Sequence, residues 1–286
     1  MLFHVTHVTE YSYSRPVFLE PHIIRLRPRS DGVQHLRRFQ MTIAPRPAGM
    51  TECLDIEGNA TVQAWFPDPT ERFQVATEFD VATLRTNPFD FIVSETSAEV
   101  LPLSYSGPDA LLLSPYRNVS DTDTTLLKFA QGIARDSDGK TLSFLDALNR
   151  RLYQEFDCII RETGEPSPPQ RTLRTKQGSC RDLAAVFMAA CRSQGIAARF
   201  VSGYQEGDPD QQTRYLHAWA EIYLPGAGWR GYDPTHGLAV GAGHIALAAS
   251  YAPHLAAPVS GSFRGTGVLS SMRARIEIQK LEMPVS

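Results

Sequence analysis

Few features of this 286-residue chain are extreme. No apolar run approaches the roughly 18 to 20 residues needed to span a bilayer. The opening Met1-Leu2-Phe3-His4-Val5-Thr6 lacks the apolar core of a secretory signal. Neither sign of charge prevails: 28 basic residues stand against 31 acidic ones. The net charge of -3 gives no electrostatic basis for binding nucleic acid or an anionic membrane. Only four cysteines occur, Cys53, Cys158, Cys180 and Cys191, with no C-x-x-C pair and no Cys/His cluster at zinc spacing. Internal repeats and low-complexity segments are missing too. The default expectation is therefore a cytoplasmic protein with free thiols in reducing surroundings, and nothing implies a cofactor or metal.

What is present is ordinary globular composition, 42% hydrophobic and 21% charged, at a length that favours two domains. Short runs rich in β-branched and aromatic residues follow one another at His4–Thr9, Ile23–Arg27, Phe39–Ile43, Ala60–Phe66 and Phe73–Val81. Pro- and Gly-containing turns separate them, which predicts an N-terminal antiparallel β-sandwich over residues 1–100. The arginines Arg25, Arg27, Arg29, Arg37 and Arg38 alternate with apolar residues and read as a solvated strand face. His4, His7, His22 and His35 fall in this part and are expected at the surface.

Residues 101–286 read differently. Prolines at 102, 108 and 115 mark a connecting stretch. Asp121-Thr122-Asp123 then offers helix-capping oxygens, and Ser143 could cap a second helix. Pro166-Ser167-Pro168-Pro169 marks a loop, and a helix is expected from Cys180 to Ser193, stopped by Gly195. Strands follow at Ala198–Tyr204, His217–Leu224 and Trp229–Asp233, with a last one at Met272–Ile278. Helices packed on an antiparallel sheet make the whole chain α+β.

Three clusters carry chemistry. Cys180 opens a helix whose apolar stripe is Leu183, Val186, Phe187, Ala190 and Cys191. A thiol there gains from the helix dipole, and unpaired backbone N–H groups beside it suit an oxyanion. Its polar neighbours Gly178, Ser179, Arg181 and Asp182 set it apart from Cys191, Cys53 and Cys158, which are read as small core hydrophobes. His217 shares a strand face with Trp219, Glu221 and Tyr223, a polar-aromatic surface suited to a cleft. The hairpin at Pro225-Gly226-Ala227-Gly228 brings Asp233 opposite or diagonal to the His217 end, where a carboxylate can orient an imidazole. His236 could line the cleft; His244 and His254 are assigned to an irregular segment. The Gly207–Gln212 stretch reads as an exposed loop at the rim.

The motifs Gly178-Ser179-Cys180-Arg181-Asp182-Leu183-Ala184, Gly195 to Tyr204, His217-Ala218-Trp219 and Gly228 to Thr235 resemble the bacterial transglutaminase-like proteins. Tyr11-Ser12-Tyr13 and Arg25-Leu26-Arg27-Pro28 resemble their N-terminal region. The resemblance implies a papain-like transglutaminase core with Cys180 as nucleophile, His217 as general base and acid, and Asp233 as orienting carboxylate. It also implies a cysteine protease or amidohydrolase acting on peptide or protein, with amine transfer from glutamine or a non-catalytic peptide-binding role as alternatives. Such relatives accompany ATP-grasp and alpha-E domain proteins, which suggests those as partners. The Cys180 N–H is the expected oxyanion donor with Gln177 as a side-chain candidate, and Trp219 a candidate cleft wall. Asp136-Ser137-Asp138-Gly139 lacks the spacing of a calcium loop, so calcium independence is expected. Where relatives carry Arg-Asp-Tyr, this chain has Ala249-Ser250-Tyr251.

Overall fold

The computed structural model describes residues 1–119, 123–207 and 214–282. The N-terminal part is all strand: β1 (Leu2–Leu19), β2 (His22–Ile24), β3 (Gln34–Ala44), β4 (Gly49–Leu54), β5 (Ala60–Trp65) and β6 (Thr70–Thr83). Helices α1 (Gly107–Leu112), α2 (Thr124–Asp136) and α3 (Thr141–Glu155) come next, then β7 (Asp157–Cys158), α4 (Pro169–Thr175), β8 (Gln177–Gly178) and α5 (Cys180–Ser193). The rest is β9 (Ala198–Gln205), β10 (His217–Leu224), β11 (Gly228–Asp233), β12 (Leu238–Ala239), β13 (His244–Ser250), β14 (Val259–Ser260), β15 (Phe263–Arg264) and β16 (Ser270–Leu281). The architecture is α+β, as expected.

Strand β1 alternates strictly at its start, burying Phe3, Val5, His7 and Thr9 on one face. It pairs antiparallel with β6, which pairs with β3, while β2, β4, β5 and β14 form a second antiparallel sheet. Phe3, Val5, Phe73, Val75 and Phe79 of the first sheet share a core with Ile24 and Val62 of the second. Tyr204, Ile245 and Leu247 reach the same core from β9 and β13. His7 and His22 are therefore buried, not superficial. His7 Nδ1 lies 2.8 Å from the Tyr204 hydroxyl, and burial pushes its imidazole down to about 4, leaving it neutral.

A third sheet runs β12-β11-β10-β9-β13. Its face bearing Ala198, Ala218, Ala220 and Ile222 packs against Leu183, Val186, Phe187 and Ala190 of α5. Small residues on the strands let a bulky helix stripe approach closely. Helices α2 and α3 add Leu126, Ala130, Phe144, Leu145 and Leu148 to that core.

Of four local expectations, the first holds and three change. Asp123 caps α2 by accepting from the Thr125 N–H at 2.8 Å, whereas Asp121 and Thr122 lie outside the described residues. Helix α3 starts at Thr141 after Lys140, without a Ser143 cap. The proline-rich loop runs straight into α4, with Pro169 in the first turn, where no backbone N–H is needed. Finally, β16 pairs with β1 from Leu2↔Leu281 to Tyr13↔Ser270, so the last strand belongs to the first sheet, not to the residues 101–286 with which it was grouped. Among the described residues no helix is long and apolar enough to cross a membrane.

Candidate active site

Gly178 leads into α5 because nothing larger fits: a Cβ there would stand 2.8 Å from Asp182 Cβ and 3.0 Å from Thr172 Cγ2. The next residue, Ser179, donates its N–H to Asp182 Oδ2 at 2.7 Å and its hydroxyl to the same oxygen at 2.8 Å. Asp182 Oδ1 accepts from Arg161 Nη2 and from the Ser167 N–H, each at 2.6 Å. This 2%-exposed carboxylate thereby fixes the helix start and ties down the 159–167 segment. Cys180 follows as the first residue of α5, where backbone N–H groups have no intrahelical partner.

His217 begins β10 and Asp233 ends β11. The pairing Ala220↔Tyr232 puts Asp233 on the His217 side of the hairpin. His217 Nε2 lies 2.7 Å from Asp233 Oδ2. That oxygen has two further imidazole neighbours, His236 Nδ1 at 2.9 Å and His244 Nε2 at 3.1 Å, while Oδ1 accepts the Thr235 N–H at 3.0 Å. Burial opposes ionisation of Asp233, but the charge and hydrogen bond of His217, with bonds from His236 and His244, hold it well below the usual carboxylate range. His217 is the reciprocal case. Burial lowers it, yet Asp233 and then Cys180 outweigh that and raise it to about 10.

Cys180 completes the set. Burial pushes its thiol up; the hydrogen bond and charge of His217, then Arg181 and the Ala218 N–H, more than reverse this and bring it below its ordinary value. Cys158 and Cys191 go the other way. Cys158 is raised to about 11, first by burial of its sulfur and then by Cys180, and Cys191 is raised by complete burial. Cys53 and Cys158 are not core residues: both are exposed, the first on β4 and the second on the two-residue β7 at the cleft.

A cleft of about 830 Å³ opens over Cys180, His217 and His236. Ile159, Ile160, Phe200 and Pro258 line it, and so do Thr9 and Tyr11 of β1 and Met272 and Ala274 of β16. Gly207 is at its edge; residues 208–212 lie outside the described residues. Two sequence candidates lie elsewhere. Gln177 is exposed on β8 and is not a lining residue. Trp219 is 1% exposed and sits behind the imidazole, its ring 6.2 Å from that of His217 and packed with Val201 and Ala249. His236 lines the cleft, as expected, whereas His244 belongs to β13 and not to an irregular segment. His236 had a signal, standing three residues after Asp233 in the turn; His244 had none, being a buried strand residue among apolar ones. For an ion, His217, Asp233 and His236 are the candidate ligands, with donor atoms within 4.8 Å of one another.

An ordinary thiol titrates near 8.5 and is mostly protonated at neutral pH. Cys180 is therefore expected to react with iodoacetamide at pH 6–7 at least about tenfold faster than Cys158 or Cys191. Peptide mapping after timed labelling measures this; equal labelling of the three would sink the activated-thiol assignment.

Two family models, curated relatives and a solved structure match this chain. Residues 3–82 match the bacterial transglutaminase-like N-terminal region and residues 127–234 the transglutaminase-like superfamily. An uncharacterised protein of Mycobacterium leprae is 24% identical over 282 residues, covering 97% of this chain and 98% of its own. A protein-glutamine gamma-glutamyltransferase of Pseudomonas aeruginosa is 35% identical over 101 residues, 32% of this chain and 15% of that one. The crystal structure of a candidate cysteine protease from Cytophaga hutchinsonii superposes with a TM-score of 0.75 at 21% identity, covering 100% of this chain and 92% of that one.

Proposed function

We propose that this chain, which belongs to the bacterial transglutaminase-like proteins, is a cysteine-dependent acyl-transfer enzyme that cleaves peptide or amide bonds. One observation carries the reading: a thiol with a lowered pKa at a helix N-terminus, bonded to an imidazole whose Nε2 lies 2.7 Å from a buried carboxylate. Cys180 attacks the carbonyl as its thiolate, paired with protonated His217. The oxyanion is met by the Cys180 N–H, among the unpaired donors of α5; the exposed Gln177 is given no part. His217 passes its proton to the departing amine, and the C–N bond breaks to leave a thioester. Water then releases the acyl group. Ionised Asp233 keeps the His217 Nε2 protonated, so that Nδ1 faces the sulfur.

Transfer to an amine is the second reading, supported by the 35% identity to the Pseudomonas glutamyltransferase segment. Hydrolysis is preferred because the cleft admits water close to the thiol: His236, with its ring centre 5.0 Å from that of His217, has a 41%-exposed side chain. The test compares wild type and Cys180→Ala on a glutamine-containing peptide pool, with and without a primary amine, by mass spectrometry. Hydrolysed termini dependent on Cys180 are expected; amine adducts forming in preference to hydrolysis would overturn the protease reading.

A further inference from the structure

The arginines that the sequence presents as one solvated strand face divide into two groups. Arg25 is buried, and its Nη1 donates to the Ala257 carbonyl at 3.2 Å and to the Ser260 hydroxyl at 3.0 Å. Arg27, Arg29, Arg37 and Arg38 instead line a pocket of about 400 Å³ that shares no residue with the cleft over Cys180. Arg27 and Arg29 stand two residues apart on the segment linking β2 to β3. On β3 the pairing with β6 steps from Leu36↔Val81 to Arg38↔Asp80, which leaves Arg37 as the extra residue of a bulge. A regular strand sends consecutive side chains to opposite faces, but here Leu36, Arg37, Arg38 and Phe39 all border the same pocket.

Two of these guanidinium groups are held in place by other side chains. Arg29 Nη1 donates to Asn59 Oδ1 at 2.9 Å, and Asn59 is itself fully buried, its amide donating to Asp55 and to the Ala249 carbonyl. Arg27 lies over the Phe39 ring, 5.0 Å from its centre, which occupies the face of the guanidinium and leaves its N–H edge for an acceptor. Among the described residues Arg29 pairs with Asp31 at 3.5 Å and Arg38 with Glu78 at 3.2 Å, whereas Arg27 and Arg37 form no ion pair. Two positive charges are thus left over at a concave site, on a chain whose net charge is -3. One carboxylate would balance only half of that surplus. A phosphate group carries about two negative charges near neutral pH, and its oxygens accept the paired N–H donors that guanidinium groups offer. We propose that this pocket binds a small phosphate-bearing ligand, with Arg27 and Arg37 as its main charge partners and Leu36, Phe39 and Leu54 as an apolar wall beside it. The site is independent of the Cys180 chemistry.

The test is calorimetric titration of the full chain with pyrophosphate and with ADP, at a constant ionic strength of about 0.15 M so that general screening is fixed. The two compounds share a diphosphate and differ in the organic part. One equivalent is expected to bind with a Kd below about 100 μM. ADP binding at least about tenfold tighter would assign the apolar wall to an organic part of the ligand, and equal binding would assign an inorganic one. Arg27→Gln and Arg37→Ala are each expected to weaken binding about tenfold, and together about 100-fold, the scale of charge-assisted hydrogen bonds. Unchanged iodoacetamide labelling of Cys180 checks that the variants are folded. Arg135→Ala, which removes an 81%-exposed arginine of α2, is expected to leave the Kd within about twofold. No saturable binding of either compound below about 1 mM would overturn the proposal. So would a Kd unchanged in the double variant, or weakened as much by Arg135→Ala. Equal affinity for a single-stranded oligonucleotide would overturn it too, since the arginines would then form an open polyanion surface and not a pocket for a small ligand.

Discussion

Replacing Asp233 by Asn is expected to lower turnover by about 10⁴-fold, the cost of the same change in serine-protease triads. The reason is tautomeric. Asn offers one acceptor oxygen where Asp233 offers two, and the Thr235 N–H already occupies Oδ1 at 3.0 Å. The amide NH₂ would then face three imidazole N–H groups. His217 must turn its lone pair to the amide and carry its proton on Nδ1, where it cannot accept from Cys180. Removing the charge acts in the same direction. Asp233 outweighs the burial of His217 and lifts it to about 10; without it, burial lowers the imidazole and the thiolate loses its cationic partner. Iodoacetamide labelling of Cys180 at pH 6 should therefore fall along with turnover. In wild type the activity plateau is expected to be bounded below by thiol ionisation and above, near pH 10, by loss of the His217 proton. Asp233→Asn should move the alkaline limb down. An unshifted profile with full activity would remove Asp233 from the mechanism.

The second large effect is structural. Asp182→Ala deletes a buried acceptor that serves Arg161, the Ser167 N–H, the Ser179 N–H and the Ser179 hydroxyl. Breaking a buried pair costs about 3–5 kcal/mol, and the 29% exposure of Arg161 argues for the lower end, about 3 kcal/mol. At about 2–4 °C per kcal/mol for chains approaching this size, Tm should drop by about 6–12 °C. The sign of the pH dependence follows from the lowered carboxyl. Burial raises it, but the Ser167 and Ser179 bonds and then Arg161 prevail. Its stabilisation is present above the unfolded value of about 3.9 and is lost as pH falls through the lower folded value. The Tm gap between wild type and Asp182→Ala should close in acid; a gap constant from pH 7 to pH 3 would contradict the assignment.

Much of the site was legible because each residue carries a local signature. Cys180 stands where a polar run meets an apolar helical stripe, and the His217 and Asp233 strands are joined by a short hairpin whose length limits the register. His244 was not legible. Its strand, His-Ile-Ala-Leu-Ala-Ala-Ser, is buried on both faces, Ala248 against the α5 core and Ile245 and Leu247 against the first-sheet core. Two-sided burial erases the period-2 alternation by which strands are read. Trp219 was misplaced for a related reason. Alternation assigns it correctly to the His217 face, but two residues along that face it packs with Val201 of β9 and Ala246 and Ala249 of β13 and is left 1% exposed. The β16 pairing spans nearly the whole chain, and no local pattern specifies a partner at that separation.

That pairing decides when the cleft becomes whole during synthesis. Met272 and Ala274 stand on β16, and together with Thr9 and Tyr11 of β1 they form one wall of the cleft above Cys180. A nascent chain that has reached Asp233 already holds the thiol, the imidazole and the carboxylate. It still lacks half of that wall, which is supplied about forty residues later when β16 lies down along β1. The thiol, imidazole and carboxylate are thus synthesised before the groove that surrounds them is complete.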